Sequence, residues 1–131
     1  MPNHVSFEND NLILRSRVLQ LKGQNIVAAL SKNQTLLIYC LLNKVNERDM
    51  LISYIWPDKN PAEKENSYHQ LVYKTRRALN KCGFPPDIIL TLAGYGICMH
   101  RGYFEPIIKS QGQHLVNNTA RLIQRSLDHT R

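Results

Sequence analysis

The chain has 131 residues, 43% hydrophobic and 21% charged, enough for one domain with a real core and too apolar for a disordered chain. A net charge of +7, from 17 Lys and Arg against 10 Asp and Glu, favours a polyanionic partner without separating DNA from RNA or an anionic membrane. The longest apolar run, Leu36 to Leu42, falls far short of the roughly 20 residues a bilayer crossing needs, and an odd set of cysteines (Cys40, Cys82, Cys98) without paired spacing argues against a disulfide framework.

Met1 to Asp10 is polar and acidic and carries no signal-peptide pattern, so a cytoplasmic, reduced protein is expected, with residues 1–11 as an N-terminal tail. Leu12 to Leu21 reads as strand, with Leu19 and Leu21 alternating against Gln20. Lys22-Gly23-Gln24 is a turn signal, and Asn25 to Ala29 reads as the returning strand of a small antiparallel sheet. Ser31 with Gln34 forms a capping box that opens a first helix, and Thr35 to Leu42 is apolar nearly all round, which predicts the most buried helix of the fold.

A second helix is predicted to open at Asn46, with Glu47 and Asp49 complementing its dipole, and to bury Leu51, Ile52 and Ile55 before Pro57 ends it. The segment Trp56 to Lys64 reads as loop. A third helix is predicted from Glu65 to Lys81, stopped by Gly83 with Pro85 and Pro86 beyond. Ile88 to Leu92, the turn Ala93-Gly94-Tyr95-Gly96 and Ile97 to His100 then read as a C-terminal hairpin. Tyr103 to Gly112 reads as linker, and Gln113 to Leu127 sets Leu115, Thr119, Leu122, Ile123 and Leu127 on one face of an amphipathic helix. The expected organisation is thus a tail over 1–11, a folded domain over 12–102, and a linker with a helix over 103–131.

The charge is unevenly spread: residues 1–30 carry +1, residues 31–65 carry 0, residues 66–100 carry +3 and residues 101–131 carry +3. From Asn66 to Cys82 there are four basic residues and no acid. On a helical wheel Tyr68, Leu71, Val72, Thr75, Leu79 and Cys82 share one face, the spacing a core stripe requires. The opposite face collects Asn66, Gln70, Tyr73, Lys74, Arg77 and Lys81, with His69, Arg76 and Asn80 flanking it. These side chains suit a major groove: Arg can fork onto guanine, Asn or Gln onto adenine, and Lys and Tyr can reach phosphates. An ordinary solvated helix would more often mix acids among the bases as i, i+4 pairs. A helix, a loop, a basic helix and then a hairpin is the order of the winged variant of helix-turn-helix docking.

At this point the sequence resembles the OmpR/PhoB-type winged helix-turn-helix domain, also the cytoplasmic domain of ToxR- and CadC-like regulators, over roughly Leu12 to Met99. The resemblance is carried by Leu30-Ser31 with Leu36-Leu37, by Glu47-Arg48-Asp49-Met50-Leu51 with Ile55-Trp56, by Glu65 to Leu79, and by Thr91-Leu92-Ala93-Gly94-Tyr95-Gly96. Trp56 closing the second helix before a loop of about nine residues suits this family, since most helix-turn-helix turns are shorter. The resemblance implies an α+β fold with an N-terminal antiparallel sheet, a three-helix core and a C-terminal β-hairpin wing. It implies a bacterial transcription regulator whose third helix reads the major groove. By matching position it also implies an RNA polymerase contact at Asp58, Lys59 and Asn60. Three departures stand out. Ala93 occupies the place of the wing's usual basic residue, leaving Tyr95, His100 or Arg101 as substitutes. Ile97 replaces the aromatic that follows the second glycine. And 131 residues leave no room for a receiver domain.

Other chemistries have little support. Cys98 and His100 point to the same side of a predicted strand, but no C-x-x-C or second close pair accompanies them. Cys40 and Cys82 fall on predicted core faces. No paired carboxylates, nucleophile elbow or phosphate loop is present, so neither an enzyme, a cofactor nor a small-molecule substrate is expected. The expected partner is double-stranded DNA bound through Asn66, His69, Gln70, Tyr73, Lys74, Arg77, Lys81 and Tyr95, with a homodimer through the C-terminal helix as a further expectation. The rivals are a winged-helix protein-interaction module without DNA binding, and the cytoplasmic part of a membrane-tethered ToxR-like regulator.

Overall fold

The structure, a computed structural model, describes residues 5–100 and 102. Four short strands, β1 (Phe7–Glu8), β2 (Leu12–Arg15), β3 (Val18–Leu21) and β4 (Ile26–Ala29), form an antiparallel sheet in sequential order. Leu12 pairs with Leu21 and Leu14 with Leu19, which in turn faces Ala28, so one face of the sheet is a buried apolar row. The stretch Leu12 to Leu21 is therefore not the single strand expected but a hairpin. Its turn, Ser16-Arg17, has φ of 52° and 62°, the paired left-handed conformation that two-residue hairpins need and that Asn-Gly usually supplies. The sheet also starts earlier than expected. Phe7–Glu8, inside the segment read as a tail, is its edge strand, and Asn9 reverses the chain by accepting at Oδ1 from the amides of Asn11 and Leu12, both at 2.8 Å.

Helix α1 (Lys32–Leu42) opens with the predicted capping box: the Gln34 amide donates to Ser31 Oγ at 3.2 Å and the Ser31 amide to Gln34 Oε1 at 2.9 Å. Seven of its residues from Thr35 to Leu42 are buried, and it packs against α2, α3 and the last strand. Helix α2 (Arg48–Ile55) begins two residues past the expected opening at Asn46. Glu47 is its cap, with its carboxylate accepting from the Met50 amide at 2.9 Å, and Leu51, Ile52 and Ile55 are buried as predicted. The loop that follows carries one short 3-10 turn, Pro61–Lys64, with proline at a first-turn position where its missing N–H costs nothing.

Helix α3 (Glu65–Lys81) has the predicted bounds and buries Tyr68, Leu71, Val72, Thr75 and Leu79. Cys82, assigned to the same stripe, is exposed. The helix has already ended there. Gly83, at φ +100°, turns the chain left-handed, its amide donates to the Asn80 carbonyl and the Phe84 amide to the Leu79 carbonyl, a pattern in which the residue past the glycine, not the capping one, folds back onto the helix. Phe84 is accordingly buried. Strands β5 (Ile89–Leu92) and β6 (Gly96–Met99) form a separate antiparallel hairpin. One continuous core runs from Leu12, Leu14 and Leu19 through Leu37 and Ile38 to Leu79, Ile88 and Met99. Within it the Cys40 thiol is pushed up to about 12 by burial and behaves as a small apolar group.

Among the described residues the architecture is thus α+β: a four-stranded antiparallel sheet, three helices and a C-terminal hairpin. No helix among the described residues is long and apolar enough to cross a membrane. The predicted linker, Tyr103 to Gly112, and the predicted helix, Gln113 to Leu127, lie outside the described residues.

Candidate nucleic-acid interface

Helix α3 turns its apolar stripe inward, and that fixes the opposite face outward. Asn66, His69, Gln70, Tyr73, Lys74, Arg77 and Lys81 are all exposed, Tyr73 to 58%. Arg77 is pre-ordered by its i, i+4 neighbour: Nη1 donates to the Tyr73 hydroxyl at 3.3 Å and the guanidinium carbon stands 5.8 Å from the ring centre. Neither Lys74, Arg77 nor Lys81 makes an ion pair among the described residues. The acid at the head of the helix, Glu65, is engaged by Arg48 at 3.1 Å and lies 3.7 Å from His69. Its negative charge is held at the N-terminal end, away from the cationic stretch.

Arg76, a flanking residue in the sequence, faces the hairpin. It is half-buried, and its Nη2 donates to the Ile89 carbonyl at 3.3 Å and to Thr91 Oγ1 at 2.9 Å. A second tether comes from the start of α2. The Arg48 amide donates to the Tyr95 carbonyl at 2.9 Å, and the Ile97 amide to the Asn46 carbonyl at 3.1 Å. Gly96 makes this approach possible, because a Cβ there would fall inside the Asn46 carbonyl oxygen. At the turn itself the Tyr95 amide donates to the Leu92 carbonyl and Gly94 takes φ +73°, the positive φ a tight turn asks of glycine at this position. Tyr95 is left 55% exposed at the tip. The hairpin is held to both helices.

Between α3 and the hairpin lies a half-open cleft of about 340 Å³, with Tyr68, Val72 and Ile97 as its buried floor and Tyr73, Thr91 and Tyr95 on its walls. Tyr68 is 3% exposed, and its hydroxyl makes no hydrogen bond to the described residues. Burial raises its pKa; the charges of Arg48 and Arg76 pull it part of the way back, and Glu47 pushes it up again. Sequence reasoning assigned Tyr68 to the core stripe and gave Arg76 and Thr91 no role. A core residue with a polar tip gives no separate signal in a helical pattern.

The other predicted residues are scattered. Asp58 and Lys59 are exposed in the loop before α3, whereas the Asn60 side chain caps the 3-10 turn by accepting from the Ala62 amide at 2.9 Å. Cys98 and His100 are both half-buried, and His100 is engaged at both ring nitrogens. Its Nε2 stands 3.6 Å from Asp87 Oδ2, and its Nδ1 accepts from the Gly102 amide at 3.1 Å. Among the described residues no three His, Cys, Asp or Glu side chains gather as a metal site would require. Compared with models of known protein families and with curated proteins, the chain matches none.

Proposed function

We propose that the protein is a transcription regulator of the OmpR/PhoB winged-helix type, binding double-stranded DNA sequence-specifically with α3 in the major groove and the β5–β6 hairpin as its wing. One observation carries this: the outward face of α3 is a row of exposed donors whose cations have no acidic partner among the described residues, beside a hairpin tied to the same helix. A groove about 12 Å wide accepts a single helix. Arg77, Gln70 and Asn66 are suited to base edges, and Lys74, Lys81 and His69 to phosphates. Tyr73 steadies Arg77 and lowers the rotamer entropy lost on contact. The wing offers Tyr95 in place of a cation, so it contributes contact area rather than charge. The exposed Asp58 and Lys59 are the residues of the preceding loop that suit an RNA polymerase contact.

Selection from a pool of random duplexes, repeated at two salt concentrations, tests this. Enrichment of a short motif with affinity falling steeply as salt rises supports it, because each phosphate neutralised releases counterions. Absence of both enrichment and salt-sensitive binding overturns it. That result would favour a protein-interaction module, the reading supported by two exposed tyrosines and a wing tip without a cation.

A further inference from the structure

The two edges of the N-terminal sheet are finished differently. β1 is two residues long and charged, with the Glu8 carboxylate paired to Arg15 at 3.2 Å and to Lys22 at 2.8 Å. Short length and charge are how natural sheets blunt an edge. β4 carries no such device. From Gln24 to Leu30 the chain has neither a charge nor a proline, and the strand itself reads Ile-Val-Ala-Ala. The Leu30 amide donates to the Arg17 carbonyl at 2.8 Å, so Leu30 turns its main chain toward β3. Antiparallel bonding alternates along a strand, so Ala28 and Ile26 do the same, opposite Leu19 and Leu21. Val27 and Ala29 therefore direct their N–H and C=O groups to the open edge, and these groups form no hydrogen bond among the described residues. Both residues are exposed, Val27 to 47%.

We propose that β4 is a self-association edge, which pairs antiparallel with β4 of a second copy and joins the two four-stranded sheets into one of eight strands. The occupant follows from the symmetry of the strand. With Ala28 on a two-fold axis, Val27 stands opposite Ala29 of the second copy, and Ala29 opposite Val27 of the second copy. Each pair exchanges two N–H···O=C bonds, so four hydrogen bonds satisfy every outward group of Val27 and Ala29 in both chains. Ala28 then meets its own copy at the axis, in the closely spaced kind of pair where Cα atoms come within about 4.5 Å and a methyl group fits. No charge on the strand faces its like. A partner of other sequence would need an uncharged, proline-free strand in matching register, and a second copy has one by construction. The ladder is short and buries far less than the roughly 1,200 Å² of a stable interface, so the pair forms at high concentration and exchanges rapidly. None of this requires DNA binding.

Amide hydrogen exchange of the full chain, followed by NMR at ~20 µM and at ~1 mM protein, tests this. The Val27 and Ala29 amides should exchange about fourfold more slowly at the higher concentration, as a dimer with a Kd near ~100 µM requires. Val27→Lys sets two ammonium groups near each other across the axis, and Ala29→Pro removes an outward donor at an edge position where proline is tolerated. Each should abolish the slowing. Gln20→Lys, one strand in on the neighbouring β3, should leave it intact. Val27 is exposed, so Val27→Lys should keep the wild-type urea midpoint. Should Ala29→Pro disturb the sheet, Val27→Lys and Gln20→Lys together decide the matter. No slowing at the higher concentration overturns the proposal. Slowing that survives Val27→Lys also overturns it, by placing the contact on another surface. Slowing that Gln20→Lys abolishes as well would mean that the sheets stack face to face, and the edge pairing fails.

Discussion

Two hairpins of similar length, β2–β3 and β5–β6, are built on opposite principles. In β2–β3 the turn is made by Ser16 and Arg17 at φ of 52° and 62°, and nearby charge is neutralised, Glu8 meeting Arg15 at 3.2 Å and Lys22 at 2.8 Å. In β5–β6 a glycine takes the positive φ, and the strands are tied sideways by Arg76 and by the backbone of residues 46–48. Among the described residues, the outward cations of its neighbour α3 have no acidic partner. The first hairpin tolerates local strain because the sheet around it, with Leu14, Leu19 and Ala28 buried, fixes its register. Among the described residues the second has only two strands, and an isolated hairpin is marginal in water. Its position therefore depends on lateral ties, and such ties are what the proposed wing role requires.

The largest effect should come from cutting the closest of these ties. Gly96→Ala forces a Cβ into the Asn46 carbonyl, an obstruction made of backbone that no rotamer change relieves. A loss of about 3 kcal/mol or more is expected, read as a lower urea midpoint. Gly23→Ala, in the turn leading to β4, has φ +80° but open space, so it should cost only about 1 kcal/mol. Equal losses at the two glycines would mean that conformation, not the close approach, determines the place of Gly96.

Next comes the separation of reading from folding. Arg77→Ala should cost about 1–3 kcal/mol in binding a selected duplex and relax specificity at one base pair, whereas Lys74→Ala should weaken all sequences alike. Both side chains are exposed, so neither change should move the urea midpoint appreciably. Competition binding against single-base variants of the selected duplex distinguishes the two, and indifference to both would show that another face makes the contact. A smaller gain is expected at the other hairpin. Ser16→Asn with Arg17→Gly places residues suited to positive φ in the turn and should stabilise by about 0.5–1 kcal/mol in urea without altering DNA affinity.

Much of this fold was legible in the residues. The capping box at Ser31, the extent of α3 and the C-terminal hairpin follow from local patterns that tertiary packing reinforces. The Ser16-Arg17 turn carries no glycine or asparagine to announce it, but a trace existed. The inward leucines run 12, 14, then 19, 21, and a gap of five breaks a period of two. Of the candidate site, the exposed row on α3 could be read from its wheel. The tether of residues 46–48 to the hairpin could not, because backbone pairing between distant segments has no side-chain signature. Tyr68 and Arg76 escaped for a related reason. A buried phenol and a flanking guanidinium acquire their meaning only once the hairpin folds against them.

The smallest expected effect tests whether the charge pairs of the first hairpin matter at all. Hydrogen bonding and charge from Lys22, with a further contribution from Arg15, hold the Glu8 carboxyl below its ordinary value of 4.5. A carboxyl whose pKa is depressed in the folded state adds stability that is complete above its unfolded value and disappears as pH falls through the folded one. The contribution of Glu8 should therefore be present at neutral pH and lost below pH 4.5. The group is exposed, so solvent screening keeps the effect small. Glu8→Gln should lower the urea midpoint slightly at pH 7 and leave it unchanged at a pH low enough to protonate Glu8. A difference that persists at low pH would mean that Glu8 acts through packing at the sheet edge rather than through its charge. Because Arg15 and Lys22 lie on the sheet rather than on α3, freeing them should leave duplex affinity unchanged, and a response would move the proposed DNA-facing surface from α3 toward the sheet.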